Sequence, residues 1–152
     1  MLNKLADDIG LKNTNFENVT GMPGKEHYTS ARDLAIISQK LINDFPIQYK
    51  RFSQKKYTYN NITQRNRNRL LTTYDLADGI KTGHTSSAGY CLSASAKLHD
   101  TRFIAVIFGA NSSKARFKYS KTLFKFGFRN FITEKFFEKN KILAKERMWN
   151  GE

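Results

Sequence analysis

The chain has 152 residues, a formal net charge of +13 and 39% hydrophobic residues. That is the length of one domain, able to bury roughly 68–70% of its unfolded surface in a core. No run of about 18 apolar residues occurs, which excludes a membrane-spanning helix. Met1 to Gly10 carries Asp7 and Asp8 and no long apolar stretch, so it does not read as a signal peptide, and the expectation is either a cytoplasmic protein or a missing start.

The charge has two readings. It can serve an anionic partner such as nucleic acid, anionic lipid or an acidic polymer, or it can be a Lys- and Asn-rich composition spread over solvated faces. Cys91 is the only cysteine, so no internal disulfide or Cys-rich metal site can form, and a buried, inert thiol is expected.

Leu2, Leu5, Ala6 and Ile9 fall at helical spacing, and Gly10 is placed to end that short helix. No capping residue precedes it, as in a helix cut in its middle. Lys12 to Lys25 is rich in Asn, Thr, Gly and Pro and reads as loop. Thr29 or Ser30 caps a helix from Ala31, with Asp33 in its first turn, an apolar stripe of Leu34, Ile37, Leu41 and Ile42, and Pro46 just beyond its end. Tyr57-Thr58-Tyr59 is β-prone, and Asn60 to Asn68 is turn-prone.

Three strands are predicted next, over Gly79–Thr82, Tyr90–Ala96 and Phe103–Phe108, with His99-Asp100 as the tight turn of an antiparallel hairpin. A helix from Ser113 to about Ile132 has Phe117, Phe124, Phe128 and Phe131 on a core face and Lys114, Lys118, Lys121, Lys125 and Arg129 as a basic stripe. The order predicts an α+β fold, an antiparallel sheet flanked by helices.

The chemistry concentrates in Asp78-Gly79-Ile80-Lys81-Thr82-Gly83-His84-Thr85. Strand alternation puts Ile80 and Thr82 on one face and Lys81 and Gly83 on the other. On an edge strand beside a cleft, Lys supplies a charge for a carboxylate and Thr a short hydrogen bond. Gly removes the Cβ so that a substrate backbone can come close, and the N–H that follows can donate to a developing oxyanion.

With its neighbours the segment resembles the serine-type D-alanyl-D-alanine carboxypeptidases, the low-molecular-mass penicillin-binding proteins of the β-lactamase/transpeptidase-like superfamily. Six stretches carry the resemblance, in the family's order and near its spacing: Gly10 to Phe16, Tyr28 to Ala35, Asn66 to Leu71, Asp78 to Thr85, Ala88-Gly89-Tyr90 and Gly127-Phe128-Arg129. The resemblance implies that Lys81 and Thr82 engage the substrate's terminal carboxylate. It implies that Gly83 permits close approach and that the His84 backbone N–H is half of an oxyanion hole. Arg116 matches an Arg that helps anchor the carboxylate, and Arg67 another Arg near the cleft; a solvated surface role is the alternative for both.

The implied substrate is a peptidoglycan stem peptide ending in D-Ala-D-Ala, trimmed without a cofactor in the periplasm or on the outer face of the cytoplasmic membrane. β-Lactams would bind the intact protein, and membrane contact would come only through segments not present here.

Two motifs depart from the family. Its nucleophile is the Ser of a Ser-x-x-Lys motif at a helix start, supported by a Ser-x-Asn motif, both upstream of everything here. The chain has no Ser-x-Asn, and its one Ser-x-x-Lys, Ser53-Gln54-Lys55-Lys56, leads into the β-prone run and reads as accidental. Residues 1–135 are therefore expected to be the C-terminal part of a penicillin-binding domain. Residues 136–152 would be the start of a second, β-rich domain, which Trp149-Asn150-Gly151 resembles. The nucleophile being absent, the chain alone is expected to be inactive.

Two other readings stand beside this one: a nucleic-acid-binding module gripping phosphates with the Lys114 to Arg129 stripe, and a remnant without function. His27 and His99 have no partners at metal-ligand spacing and are expected at the surface or in loops.

Overall fold

The computed structural model describes residues 1–137, 140–146 and 149. In chain order these form α1 (Leu2–Asp8), α2 (Ala31–Asp44), α3 (Pro46–Tyr49) running into a 3-10 turn (Lys50–Ser53), the ribbon β1 (Lys56–Tyr59) and β2 (Ile62–Arg65), α4 (Leu70–Thr73), the strands β3 (Ala77–Thr85), β4 (Gly89–Leu98) and β5 (Thr101–Ala110), and α5 (Ser113–Asn130). The fold is α+β, as expected. The main sheet is antiparallel in the order β3-β4-β5, so β3 is an edge strand.

Both long helices start on a serine cap. The Ser30 hydroxyl accepts from the Asp33 N–H at 3.1 Å, and the Ser112 hydroxyl from the Ala115 N–H at 3.1 Å. Of the two cap candidates for α2, Ser30 does the capping, and the Thr29 hydroxyl instead meets that of Thr14 at 2.8 Å. Gly10, at φ +83, turns the chain out of α1.

The alternation of β4 divides the molecule. Leu92, Ala94 and Ala96 join Ala105, Leu70, Phe117 and Phe124 in the main core under α5. Small alanines on the strands let the aromatic side chains of α5 seat close to the sheet, and Phe124 is fully buried. Burying such a side chain is worth about 1.5–3 kcal/mol. Phe128 meets Phe103 edge-on at 4.9 Å.

The other face of β4 is polar. Ser93 pairs with Ser38 of α2 at 2.8 Å, and Ser95 with Tyr49 of α3 at 2.7 Å. The residues of α2 that are fully buried are accordingly Asp33 and Ser38, while its apolar stripe is half-buried.

Three expectations are corrected. Asn60 to Asn68 is not all turn: it contains β2, which pairs with β1 around the left-handed Asn60 and Asn61. The last helix ends at Asn130, and Phe131, placed in the core by periodicity, is 56% exposed because the chain has already turned extended there. Cys91 is half-exposed rather than buried. Asp33 stands in the first turn of α2 as expected, and it is also a buried hub whose Oδ2 accepts from the N–H groups of Lys12 and Asn13 and the hydroxyl of Thr14, pinning the loop to α2. Among the described residues from Phe131 onward there is no helix or strand, and Asn150-Gly151 lies outside the described residues.

Candidate carboxylate-binding strand

Of the predicted site residues, Lys81, Thr82, Gly83 and His84 sit on β3 and Arg116 lies against it, whereas Arg67 does not. Ile80 and Thr82 stand opposite Ala94 and Leu92 on the α5 face, and Lys81 and Gly83 opposite Ser93 and Cys91 on the α2 face, as alternation required. Lys81, Gly83 and His84 are exposed, and Thr82 is buried. The Lys81 Nζ donates to the Thr82 carbonyl at 2.6 Å, and the His84 ring lies 4.1 Å from that of Tyr90.

Gly83 has room around it. A Cβ built there would meet only the Cβ of Cys91, at 3.7 Å, an ordinary contact, and its φ is not in the left-handed range. The protein's own packing therefore does not require glycine at this position. Gly89 differs: its φ is +65 and a Cβ would press within 3.1 Å of the Gly109 backbone, so the turn from β3 into β4 depends on it.

Arg116, 6% exposed, comes to the same place from α5. One guanidinium nitrogen donates to the Gly83 carbonyl at 2.9 Å and the Cys91 carbonyl at 3.1 Å, and the other to the Ser113 hydroxyl at 3.3 Å. The rings of Phe117 and Tyr90 lie 5.1 and 5.5 Å from the guanidinium carbon. Its Nε is buried and unpartnered, and among the described residues no carboxylate pairs with it. Burial pulls its pKa below the usual guanidinium value, with Cys91 and Tyr90 opposing. Arg67 is exposed, on the link between β2 and α4. Its neighbour Asn68 is buried and donates to the Gly79 carbonyl at 2.9 Å, tying that link to β3 two residues before Lys81.

A second group, missed from the sequence, sets where β3 starts. Asp78 accepts a two-pronged pair from Arg102 at 2.9 and 2.7 Å, and a hydrogen bond from Ser95. The Tyr49 hydroxyl joins through Ser95, and a Cβ on Gly79 would run into that hydroxyl. These contacts bracket the irregular register between Ala77 and Gly79. Burial, with Asp78 nearby, pushes the Tyr49 hydroxyl up to about 12. Burial alone would lower Arg102, but its bonds to Asp78 prevail and raise it. The signal that could have exposed this network was Ser93 and Ser95 at inward positions of a strand whose other face is apolar.

Comparison with known proteins decides the family. The sequence profile described as D-alanyl-D-alanine carboxypeptidase matches residues 1–112. This chain belongs to that family. The D-alanyl-D-alanine carboxypeptidase DacA of Haemophilus influenzae is 44% identical over 153 residues, a match covering 99% of this chain and 39% of that protein. Among solved structures, penicillin binding protein 5 from Haemophilus influenzae superposes with a TM-score of 0.88 at 46% identity, over 94% of this chain and 42% of that one. The ampicillin-bound form of penicillin-binding protein D2 from Listeria monocytogenes gives a TM-score of 0.78 at 30% identity, over 84% of this chain and 54% of that one. The chain thus spans about two fifths of the DacA relative's length. The enzymes of this family are carboxypeptidases acting on D-alanyl-D-alanine, and the fold here is the matching part of theirs.

The remaining candidates fall outside the site. Ser53 closes the 3-10 turn with its hydroxyl on the Lys50 carbonyl at 2.8 Å, and Lys56 lies beyond it in an exposed strand. The pair therefore lacks the helical turn that lets a Ser and a Lys three residues on meet. The stripe of Lys114, Lys118, Lys125 and Arg129 is the exposed face of α5, with Lys121 half-buried. His27 accepts from the Glu17 N–H at 3.2 Å, and His99 occupies the left-handed turn between β4 and β5. No helix among the described residues is long and apolar enough to cross a membrane.

Proposed function

We propose that this chain supplies the carboxylate-recognition wall of a serine-type D-Ala-D-Ala carboxypeptidase that trims the terminal D-Ala from peptidoglycan stem peptides. The observation that carries this is the pair of cations around Gly83. Lys81 on the strand and Arg116 beneath it have no carboxylate partner among the described residues, and between them lies a glycine that packing does not demand. A buried cation satisfied only by carbonyls and a hydroxyl favours an anion nearby.

In this reading Lys81 leaves the Thr82 carbonyl for the substrate's terminal carboxylate, and Thr82 adds a hydrogen bond. Arg116 holds the Gly83 segment and contributes positive potential, and Arg67 adds charge at the rim. The bare backbone at Gly83 lets the substrate lie alongside β3. The His84 N–H donates to the oxyanion that forms when a serine hydroxyl adds to the penultimate D-Ala carbonyl. The leaving terminal D-Ala takes up the serine's proton on its amine, and water then hydrolyses the acyl-enzyme. Ser53, at the end of a 3-10 turn with its hydroxyl on the Lys50 carbonyl, offers no support for a nucleophile's role, and in this reading the chain alone does not acylate. Residues 1–135 act as part of the peptidase domain and residues 136–152 begin the next. Catalysis takes place outside the cytoplasmic membrane, where β-lactams bind the intact enzyme.

Incubation with penicillin followed by mass spectrometry tests the division of labour. No adduct is expected on the chain alone, and labelling is expected once a segment bearing Ser-x-x-Lys and Ser-x-Asn is supplied. A stable adduct on Ser53 overturns it.

A further inference from the structure

The β1–β2 ribbon is a sheet of its own, separate from the main sheet that carries Lys81. All eight of its strand residues are exposed. Register places Tyr57 and Tyr59 opposite Gln64 and Ile62 on one face, and Lys56 and Thr58 opposite Arg65 and Thr63 on the other. The two tyrosines are 63% and 74% exposed, so neither packs into a core. A two-stranded ribbon is marginal by itself, yet this one is braced. Asn66 donates its backbone N–H to Lys55 and its side-chain amide to Gln54, both at 2.9 Å, and the hydroxyls of Thr58 and Thr63 meet across the strands at 2.8 Å.

The charge around it is one-signed. From Phe45 to Tyr74 every charged residue is a Lys or an Arg, and among the described residues none of these cations pairs with a carboxylate. At the ribbon's base an open depression is lined by Arg51, Lys56 and Arg65, by the amides of Gln54 and Gln64, and by Tyr57. The neighbouring 3-10 turn packs against β3, the strand that carries Lys81.

We propose that this ribbon and its base form a second binding site, for a carboxylate-bearing glycan: the sugar strand from which the stem peptides hang. The lining suits that chemistry. Exposed tyrosine rings cover the apolar faces of sugar rings, side-chain amides bond their hydroxyls, and unpaired cations meet the carboxylates of neighbouring stems. A lipid surface would instead call for several large apolar side chains on one face, and the ribbon offers Ile62 alone with its tyrosines. The site rests on the carboxypeptidase reading for the choice of polymer and gives that reading a substrate class: glycan-borne stems rather than free peptides.

Co-sedimentation of the full 152-residue chain with purified insoluble peptidoglycan tests this, beside binding of soluble N-acetyl-D-alanyl-D-alanine. Two ribbon variants are compared, Tyr57→Ser/Tyr59→Ser and Lys56→Gln/Arg65→Gln, with Lys81→Ala as the strand variant. Every substituted ribbon side chain is exposed, and circular dichroism verifies the fold. The ribbon variants are expected to bind the polymer at least about tenfold more weakly while keeping the dipeptide, and Lys81→Ala to do the reverse. Ribbon-dependent pelleting without any dipeptide binding sinks the strand reading and leaves the ribbon site standing. Wild-type chain that does not pellet, ribbon variants that pellet like wild type, or equal binding to vesicles containing phosphatidylglycerol overturns the ribbon proposal.

Discussion

Arg116 and Gly83, 33 residues apart, are joined by a 2.9 Å hydrogen bond from a buried guanidinium to a strand carbonyl. The same nitrogen reaches the Cys91 carbonyl on β4, so one cation clamps both strands at the proposed carboxylate site. Removing it therefore acts on fold and site together. Arg116→Met is expected to lose about 1.5–3 kcal/mol of stability, the range for hydrogen bonds to charged groups. Denaturant unfolding measures this, and a loss below about 0.5 kcal/mol would show that the clamp does not hold the strands.

Gly83→Ala separates fold from function. The added methyl meets Cys91 at ordinary contact distance, so thermal unfolding should be unchanged. Binding of N-acetyl-D-alanyl-D-alanine should weaken at least about tenfold, equivalent to about 1.4 kcal/mol. Unaltered binding would mean that ligand backbone does not pass over Gly83.

Phe124→Ala tests the core under the sheet. The ring is fully buried and stacks with Tyr74 at 5.8 Å. Its truncation should cost about 3–5 kcal/mol in denaturant unfolding, whereas Phe131→Ala, at an exposed position, should stay within about 0.5 kcal/mol of wild type.

Stability should fall at both ends of the pH scale for identifiable reasons. Tyr49, raised by burial to about 12, keeps its proton after the unfolded chain begins to lose it at 10.0. Its contribution is complete below that value and lost as pH rises towards about 12. Tyr49→Phe should remove that share, leaving the smaller one of Tyr74, which burial also raises. Asp33 has the opposite sign. Burial pushes it up, but the Asn13 N–H, the Thr14 hydroxyl, the Lys12 N–H and the Ser30 hydroxyl together hold it below 3.8. Its contribution is present above that value and lost as pH falls through the lower folded value. Asp33→Asn should flatten the acid limb in pH-dependent unfolding; an unchanged limb would remove Asp33 as its source.

The elements with strong periodicity were legible in the sequence: α2, α5, the three strands of the main sheet and the edge-strand alternation of Lys81, Thr82 and Gly83. The motif series around Lys81 also reached the correct family. What stayed hidden depended on partners distant in sequence. Asp33 looked like a helix-start acid because its donors lie about 20 residues earlier. Tyr49, Asp78, Ser95 and Arg102 are ordinary residues until α3 and three strands bring them together. Phe131 satisfied a helical stripe, but Asn130 ended the helix first. The ribbon was half visible, since Tyr57-Thr58-Tyr59 showed β propensity whereas its partner Ile62-Thr63-Gln64-Arg65 lies in a polar stretch where pairing, not pattern, makes the strand.

The most direct test of the carboxylate-binding strand is a titration of the isotopically labelled chain with N-acetyl-D-alanyl-D-alanine and with its C-terminal amide, followed by backbone amide NMR shifts. The acid is expected to move the signals of Thr82, Gly83 and His84, and the amide, lacking the negative charge, to bind at least about tenfold more weakly. Equal binding of acid and amide, or shifts that avoid β3, would contradict the assignment.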